Sequence, residues 1–321
     1  MPRKNFTPLR LLAVVALLIG ASQVLNCHAA RFTPAMRLVS AQQAPLVAVT
    51  RVGEKLVAVG DHGVVLLSDE GRNWRQANAV PVDTLLTALS FADAHNGWAV
   101  GHGGVLLHTE DGGESWVLQA RLEGNPVLLS VWFENPRHGI VVGAYGYASE
   151  THDSGQSWQR LAVSADDYHL NHIFPGPDGS LFIAAEGGIA YRSRNNGSTW
   201  ETLDTGTSGS LWSGMTLENG RVLLVGMSGR VLLSDDRGDT WHDLESGSHE
   251  AITAITQLRD GRVAVAGNAG LVSVADAGLQ RFHATVRPDR LNLAAAVSPG
   301  NDQLMLFTSQ GVLKQDLNGP H

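Results

Sequence analysis

The sequence is short of cysteine, of long apolar runs and of positive charge. Its 321 residues include a single cysteine, Cys27, which lies in a stretch typical of an export signal, so the mature chain can form no disulfide. The apolar run at residues 11–19 is too short to cross a bilayer comfortably. The mature chain must therefore be stabilised by packing alone.

Residues 1–29 have the pattern of a signal peptide: Arg3, Lys4 and Arg10 precede the apolar run, and residues 27–29 form a small-x-small cleavage pattern. Removing them lowers the count of Lys and Arg from 23 to 20 against 31 Asp and Glu, which gives 20 − 31 = −11. Such a charge disfavours nucleic acid and anionic lipid surfaces as ligands. We expect an exported, periplasmic protein; a signal retained as a membrane anchor is the alternative.

Five tryptophans recur at a nearly constant interval. Trp74, Trp116, Trp158, Trp200 and Trp241 are separated by 42, 42, 42 and 41 residues, which is the period of a four-stranded propeller blade. A Gly-x-x-Gly pattern or its equivalent keeps the same phase, and no segment of the repeat has helical period.

The repeat predicts an all-β fold, a seven-bladed β-propeller that forms a single domain over residues 30–321. The glycine pattern starts at residue 60 and reaches residue 308 in six steps, a mean of about 41 residues, and the 292 residues after the signal hold close to seven such steps. The predicted blades start near Leu46, Leu85, Val127, His169, Leu211, Ala251 and Leu291.

Each of these tryptophans ends a turn related to Thr-x-Asp-x-Gly-x-Ser-Trp, here called the Asp box; the copies at Ser193 and Ser234 vary it, and a shortened copy ends at Trp74. In Thr109–Trp116, Asp111 can accept hydrogen bonds from its own turn and Gly113 can take a positive φ. We interpret the boxes as structural, because copies spread around a ring cannot converge on one substrate. One carboxylate per turn also falls short of the six to eight oxygens that calcium requires, so we expect no metal and no cofactor. The predicted box residues are Asp69, Trp74, Asp111, Trp116, Asp153, Trp158, Asn195, Trp200, Asp236 and Trp241.

The two ends of the repeat array are incomplete. In blade six Phe282 replaces the box tryptophan, and only ten residues follow Gly311, too few for a full fourth strand. Residues 35–41 precede the first blade without a partner of their own. We therefore predict that this N-terminal strand completes blade seven and closes the ring.

The turns opposite the Asp boxes vary in chemistry from blade to blade. Such variation is typical of a free surface and equally of a surface fitted to one asymmetric partner. His169 and His172 do not form a metal pair, because side chains three residues apart leave a strand on opposite faces. The candidate partner-binding residues are Asp61, His62, His102, Tyr145, Asp166, Asp167, Tyr168, Glu186, Met227, Asn268 and Gln310.

The strand Gly97–Gly101 followed by the box at 109–116 resembles the photosystem II stability and assembly factor family, whose members are propellers with BNR (Asp-box) repeats. The resemblance implies a monomeric, non-enzymatic scaffold that binds a membrane protein complex or its assembly intermediates, with no small-molecule substrate. Two alternatives stay open. One is a secreted sialidase-like glycosidase or carbohydrate-binding propeller, although steps this regular leave no room for catalytic insertions. The other is an accessory component of an envelope transporter.

Overall fold

The computed structural model describes residues 33–300 and 302–317, so the predicted signal at residues 1–29 lies outside the described residues. The described chain forms seven antiparallel sheets, the blades of a β-propeller, in each of which consecutive strands are neighbours. No helix among these residues has the length and hydropathy needed to cross a membrane.

The first four blades follow one another directly along the chain. Blade one contains β1 (Leu46–Val52), β2 (Lys55–Gly60), β3 (Val65–Asp69) and β4 (Asn73–Gln76). Blade two contains β5 (Leu86–Phe91), β6 (Gly97–Gly101), β7 (Val105–Thr109) and β8 (Val117–Arg121). Blade three contains β9 (Leu128–Phe133), β10 (Gly139–Gly143), β11 (Ala148–Thr151) and β12 (Gln159–Arg160). Blade four contains β13 (Leu170–Pro175), β14 (Leu181–Ala185), β15 (Ile189–Ser193) and β16 (Glu201–Asp204).

The remaining blades continue the order, and their first strands begin within two residues of the predicted starts. Blade five contains β17 (Leu211–Thr216), β18 (Val222–Gly226), β19 (Arg230–Ser234) and β20 (His242–Glu245). Blade six contains β21 (Ile252–Gln257), β22 (Val263–Gly267), β23 (Leu271–Ala275) and β24 (Phe282–Val286). Blade seven contains β25 (Leu293–Val297), β26 (Gln303–Thr308) and β27 (Gly311–Asp316). Short 3₁₀ turns span Ala41–Gln43, Asp61–Gly63, His102–Gly104, Pro177–Gly179, Glu186–Gly188, Met227–Gly229 and Asn268–Gly270.

The core lies between neighbouring blades. Second strands such as Gly139–Gly143 are buried along their whole length, as their unbroken apolar sequence requires, whereas fourth strands such as Glu201–Asp204 are largely exposed. Trp98 of blade two stacks on Phe133 of blade three, with ring centroids 3.6 Å apart. Each sheet therefore buries both faces against its neighbours, which explains why these strands lack clear apolar and polar alternation.

The Gly-x-x-Gly turns are a steric requirement. A Cβ added to Gly101 would lie 2.1 Å from the carbonyl oxygen of Leu85, and Gly104 has a φ of +67°. The first glycine thus allows the turn to approach the link before the first strand, and the second takes a left-handed conformation that other residues avoid.

The prediction that residues 35–41 complete blade seven is wrong, because that blade has three strands and the segment forms none. The segment instead lies beside the outer strand of blade one. Its backbone is satisfied there: Ala35 donates to the carbonyl of Val80, and the Gln76 side chain accepts from the Leu38 amide and donates to the Met36 carbonyl. Because these hydrogen bonds already satisfy backbone groups of the segment, it does not have to pair with a sheet edge.

Side-chain packing closes the ring between blades seven and one. Trp74 meets Phe307 edge to face, with centroids 5.5 Å apart, and Arg51 donates to the carbonyl of Ser298. The carbonyl of Gln42 also packs against Gly311, where a Cβ would lie 1.9 Å away. No strand among the described residues is shared between these two blades.

Candidate partner-binding surface

The propeller has two chemically different ends. The loop end carries the turns between the second and third strands together with the links between blades. These two sets adjoin because the first residue of a turn donates to the preceding link, as His102 does to Leu85 and Ala144 does to Val127. The box end carries the Asp boxes between the third and fourth strands.

The box in blade two shows why these residue types recur. The Asp111 carboxylate accepts from the Ser115 amide at 2.9 Å and from the Thr109 hydroxyl at 2.8 Å. The Gly113 amide donates to the Thr109 hydroxyl at 3.0 Å, and the Trp116 indole donates to the Gly113 carbonyl at 3.0 Å. The polar side chains of the pattern thus form hydrogen bonds within their own turn, which indicates a structural and not a catalytic role.

Blade three repeats this geometry in full, whereas blades four and five keep the turn bonds but their tryptophans, Trp200 and Trp241, have no indole partner among the described residues. Hydrogen bonds from the Ser157 side chain and amide, and from Thr151, lower the pKa of Asp153 to about 2. Asp236 has a pKa of about 2 for the same reason, with Thr240 as the main donor. In blade four Asn195 replaces the aspartate and still accepts from the Thr199 amide at 2.9 Å.

Blade one departs from the predicted box. Its turn is shorter, since Asp69 pairs directly with Asn73 across β3 and β4. No hydrogen bond among residues 33–300 and 302–317 reaches the Asp69 carboxylate, and the Trp74 indole nitrogen has no partner there. Trp74 is a core residue, but Asp69 does not act as a box aspartate.

Most of the predicted binding residues are exposed at the loop end. Tyr145, Tyr168 and Met227 are among the few large apolar side chains that the described surface exposes, with 73%, 37% and 43% of their area accessible. The other exposed candidates are His62, His102, Asp166, Asp167 and Gln310. Asp61, Glu186 and Asn268 are half-buried.

Five of the loop-end residues form one group between blades three and four, here called the loop-end cluster: Tyr145, Asp166, Tyr168, His169 and Glu186. The Tyr145 and His169 rings lie 4.8 Å apart, and His169 Nδ1 lies 2.9 Å from Glu186 Oε2, which also accepts from the His169 amide at 3.2 Å. The Tyr168 carbonyl accepts from the amide of Gly146 at 3.0 Å.

The link between the two blades fixes both ends of this cluster. Asp166 is held in its turn by Ser164, whose hydroxyl lies 3.2 Å from the Asp166 carboxylate. On the far side the Tyr168 ring lies against Gly187, where a Cβ would be 3.2 Å from ring carbon Cε1. The cluster thus presents two tyrosines on a surface with three carboxylates, those of Asp166, Asp167 and Glu186.

Tyr145 has a strained backbone. Its φ of +55° lies in the left-handed region, which costs an L-residue about 1–2 kcal/mol. The matching positions of blades two and four are Gly103 and Gly187, which take this conformation without that cost. Those of blades one, five and six are His62, Ser228 and Ala269, with φ values of +52°, +57° and +52°, so what distinguishes blade three is the exposed aromatic ring.

Apart from Asp167, which follows Asp166, the other predicted binding residues lie in the turns of other blades. Asp61 accepts from the His62 amide at 2.8 Å within the same turn, while Met227 and Asn268 begin the corresponding turns of blades five and six. His172 is also separate from His169. Loss of hydration lowers the pKa of His172 to about 4, and its ring accepts from the Gly214 amide at 3.3 Å.

Sequence reasoning missed a groove between blades six and seven. Its volume is about 920 Å³, and Val272, Thr285, Arg287, Lys314 and Leu317 are among its lining residues. Elsewhere the tryptophan of one blade packs on the blade before it, as Trp241 does on Phe182. The groove lies where blade seven lacks its fourth strand, so the short C-terminal repeat was the available signal.

The fold and the repeated boxes define a class, the seven-bladed propellers with BNR repeats. Within that class, the model of the family described as photosynthesis system II assembly factor YCF48 matches residues 53–131 and 118–292. These matches cover most of the chain, and the protein belongs to this family.

Two solved structures show the same fold. A structure described as YCF48 bound to D1 peptide has a TM-score of 0.71 at 22% identity, over 87% of this chain and 95% of that chain. YCF48 from Cyanidioschyzon merolae has a TM-score of 0.67 at 17% identity, over 89% of this chain and 98% of that chain. None of the curated proteins matches this chain.

Proposed function

We propose that this protein is an exported, non-enzymatic scaffold that binds a segment of a membrane protein complex during its assembly, and that the loop-end cluster is its binding surface. The observation that carries this proposal is the pair of exposed tyrosines, Tyr145 and Tyr168, on two loops that the bond from the Gly146 amide to the Tyr168 carbonyl joins. Aromatic side chains at the centre of an interface tend to contribute most of its binding energy.

The charges around the tyrosines favour a particular kind of segment. Asp166 and Asp167 are exposed and Glu186 is half-buried, while His169 already faces Glu186. A segment with apolar side chains and at least one Lys or Arg would match both the rings and the negative potential. A relative in the same family has been solved with a D1 peptide, which supports a peptide segment as the ligand.

The arrangement of the carboxylates supports binding rather than catalysis. Glu186 is engaged by His169, and Asp166 by the Ser164 hydroxyl. A glycosidase needs a free acid and a second carboxylate at a set distance across the bond that is cleaved. We therefore propose a scaffold in preference to a sialidase-like enzyme.

Direct titration tests the proposal. A fluorescently labelled D1 peptide is titrated with the mature protein, and the same protein is used to capture partners from detergent-solubilised envelope. We expect saturable binding, and the double variant Tyr145→Ala, Tyr168→Ala should weaken it at least tenfold, about 1.4 kcal/mol.

Glu110→Ala is the matched control, because Glu110 is exposed at the box end and should leave binding unchanged. Equal losses in both variants would place the partner elsewhere. Hydrolysis of sialosides by the purified protein, abolished by Glu186→Gln, would replace the scaffold with an enzyme.

A further inference from the structure

Blade three carries two histidines and a carboxylate on one face of a single hairpin. His138 precedes β10, while Glu150 lies in β11 and His152 follows it. The register pairs Gly139 with Thr151, so positions 138 and 152 are directly opposed. Residues 150 and 152 are two apart and therefore leave the strand on the same face. All three side chains meet at the box end.

The polar atoms of this trio converge on one point. His138 Nε2 lies 2.8 Å from Glu150 Oε1, and His152 Nε2 lies 3.3 Å from the same oxygen. The two imidazole rings are nearly parallel, with centroids 4.8 Å apart, and the three ligand atoms all lie within 4.8 Å of one another. Tetrahedral zinc at bond lengths of about 2.0–2.2 Å separates its ligand atoms by roughly 3.3–3.5 Å, so small side-chain shifts would complete such a geometry.

A second carboxylate orients the buried histidine. His138 is only 7% exposed, and its Nδ1 lies 3.2 Å from Glu134 Oε2. Asn196 of blade four donates to the same oxygen at 2.9 Å. Asn196 also lies 3.3 Å from His138 Nδ1, so this side of the ring is held in a polar network. A carboxylate beside one ring nitrogen is common in histidines that bind a metal, and here the other nitrogen, Nε2, faces Glu150.

The three polar atoms share one small space. The Nε2 atoms of His138 and His152 both approach the same oxygen of Glu150. Lone pairs facing one another repel unless a proton or a metal ion lies between them. A metal ion would satisfy all three atoms at once.

The trio is particular to blade three. The equivalent positions hold Asn96, His108 and Glu110 in blade two, and Arg221, Leu233 and Asp235 in blade five. In blade four they are Ser180, Arg192 and Arg194, and these arginines form ion pairs with Glu201 and Asp239. The box fold therefore does not require two histidines and a carboxylate there.

We propose that His138, Glu150 and His152 form a binding site for a divalent transition metal, with zinc the best fit. Two imidazoles and one carboxylate suit zinc better than calcium or magnesium, which prefer oxygen ligands. His152 is 69% exposed, so a fourth position is open to water or to a ligand from a partner. This proposal differs from the expectation drawn from the sequence, which is that the protein binds no metal.

Isothermal titration of the chelator-treated, untagged mature protein with ZnCl₂ tests the site. We expect one equivalent to bind and to raise the melting temperature, as any ligand selective for the folded state does. Co²⁺ in its place should give visible d–d absorption bands. CaCl₂ and MgCl₂ should give neither effect.

Four variants distinguish zinc binding at this site from adventitious binding elsewhere on the protein. His152→Ala should weaken zinc binding at least tenfold without harm to folding, because this side chain is largely exposed. His138→Ala and Glu150→Ala should weaken it further where they fold. His242→Ala, an exposed histidine in blade five, should bind zinc like the parent. Absence of one-equivalent binding, or binding unchanged in His152→Ala, would overturn the proposal.

Discussion

The two ends of strand β11 differ in how their side chains are used. At the box end, Asp153 and its neighbours exchange hydrogen bonds within eight residues of chain. At the loop end, Tyr145 has a strained backbone and an exposed ring. Side chains that repeat satisfy their own turns, whereas those that vary are left available to a partner.

The largest expected effect is at the box end. Trp116→Ala should destabilise the fold by about 3–5 kcal/mol, because Trp116 is 2% exposed and its indole donates to Gly113. Trp200→Ala is the comparison and should cost less, since Trp200 is half-buried and its indole nitrogen has no partner among the described residues. Urea denaturation of both variants measures the difference, and equal losses would mean that the indole bond and the extra burial contribute nothing.

A smaller effect separates folding from binding at the loop end. Tyr145→Gly should stabilise the protein by about 0.5–1 kcal/mol, because glycine removes the left-handed strain at some cost in unfolded-chain entropy. The same change should weaken partner binding. Thermal denaturation and peptide titration on one preparation test both statements. A Tyr145→Gly protein less stable than the parent would show that the ring stabilises the fold.

The smallest expected effect depends on pH. The folded pKa of Asp153 is about 2 against an ordinary 3.8, so its ionised form stabilises the fold above about pH 4, and this contribution is lost as pH falls toward 2. Asp153→Asn lacks that titration but keeps an acceptor, as Asn195 does in blade four.

The parent should therefore be more stable than Asp153→Asn at pH 6, and the two should converge near pH 2. Melting temperatures across this range provide the measurement. A difference independent of pH would mean that the charge of Asp153 contributes nothing.

Much of the fold follows from spacing alone. The interval between Trp74 and Trp241 predicts the number of blades, because each blade must bury its tryptophan in the same phase. Spacing could not predict the path of residues 35–41, since that path depends on Gln76 and Val80, which lie outside the repeat pattern. The prediction from spacing that Asp69 is a box aspartate is also wrong, because the turn is one residue shorter and the hydrogen bonds of the Asp box do not form there.

The candidate site was harder to predict than the fold. The sequence singles out the loop-end residues because their chemistry breaks the repeat, but only the structure shows that Tyr145, His169 and Glu186 come together. His138 and His152 went unnoticed, because fourteen positions separate them in sequence and only the strand register brings them into opposition. Contacts across a hairpin become visible once its turn length is known.

Blade seven differs from the other blades in having three strands among the described residues. Between blades seven and one the link consists of side-chain contacts such as Trp74 with Phe307, and the outer edge of β27 has no strand partner among the described residues. Amide protons of β27 should therefore exchange with deuterium sooner than those of β11, the third strand of the four-stranded blade three. Local unfolding should therefore begin at the outer edge of blade seven, while the other six blades stay packed.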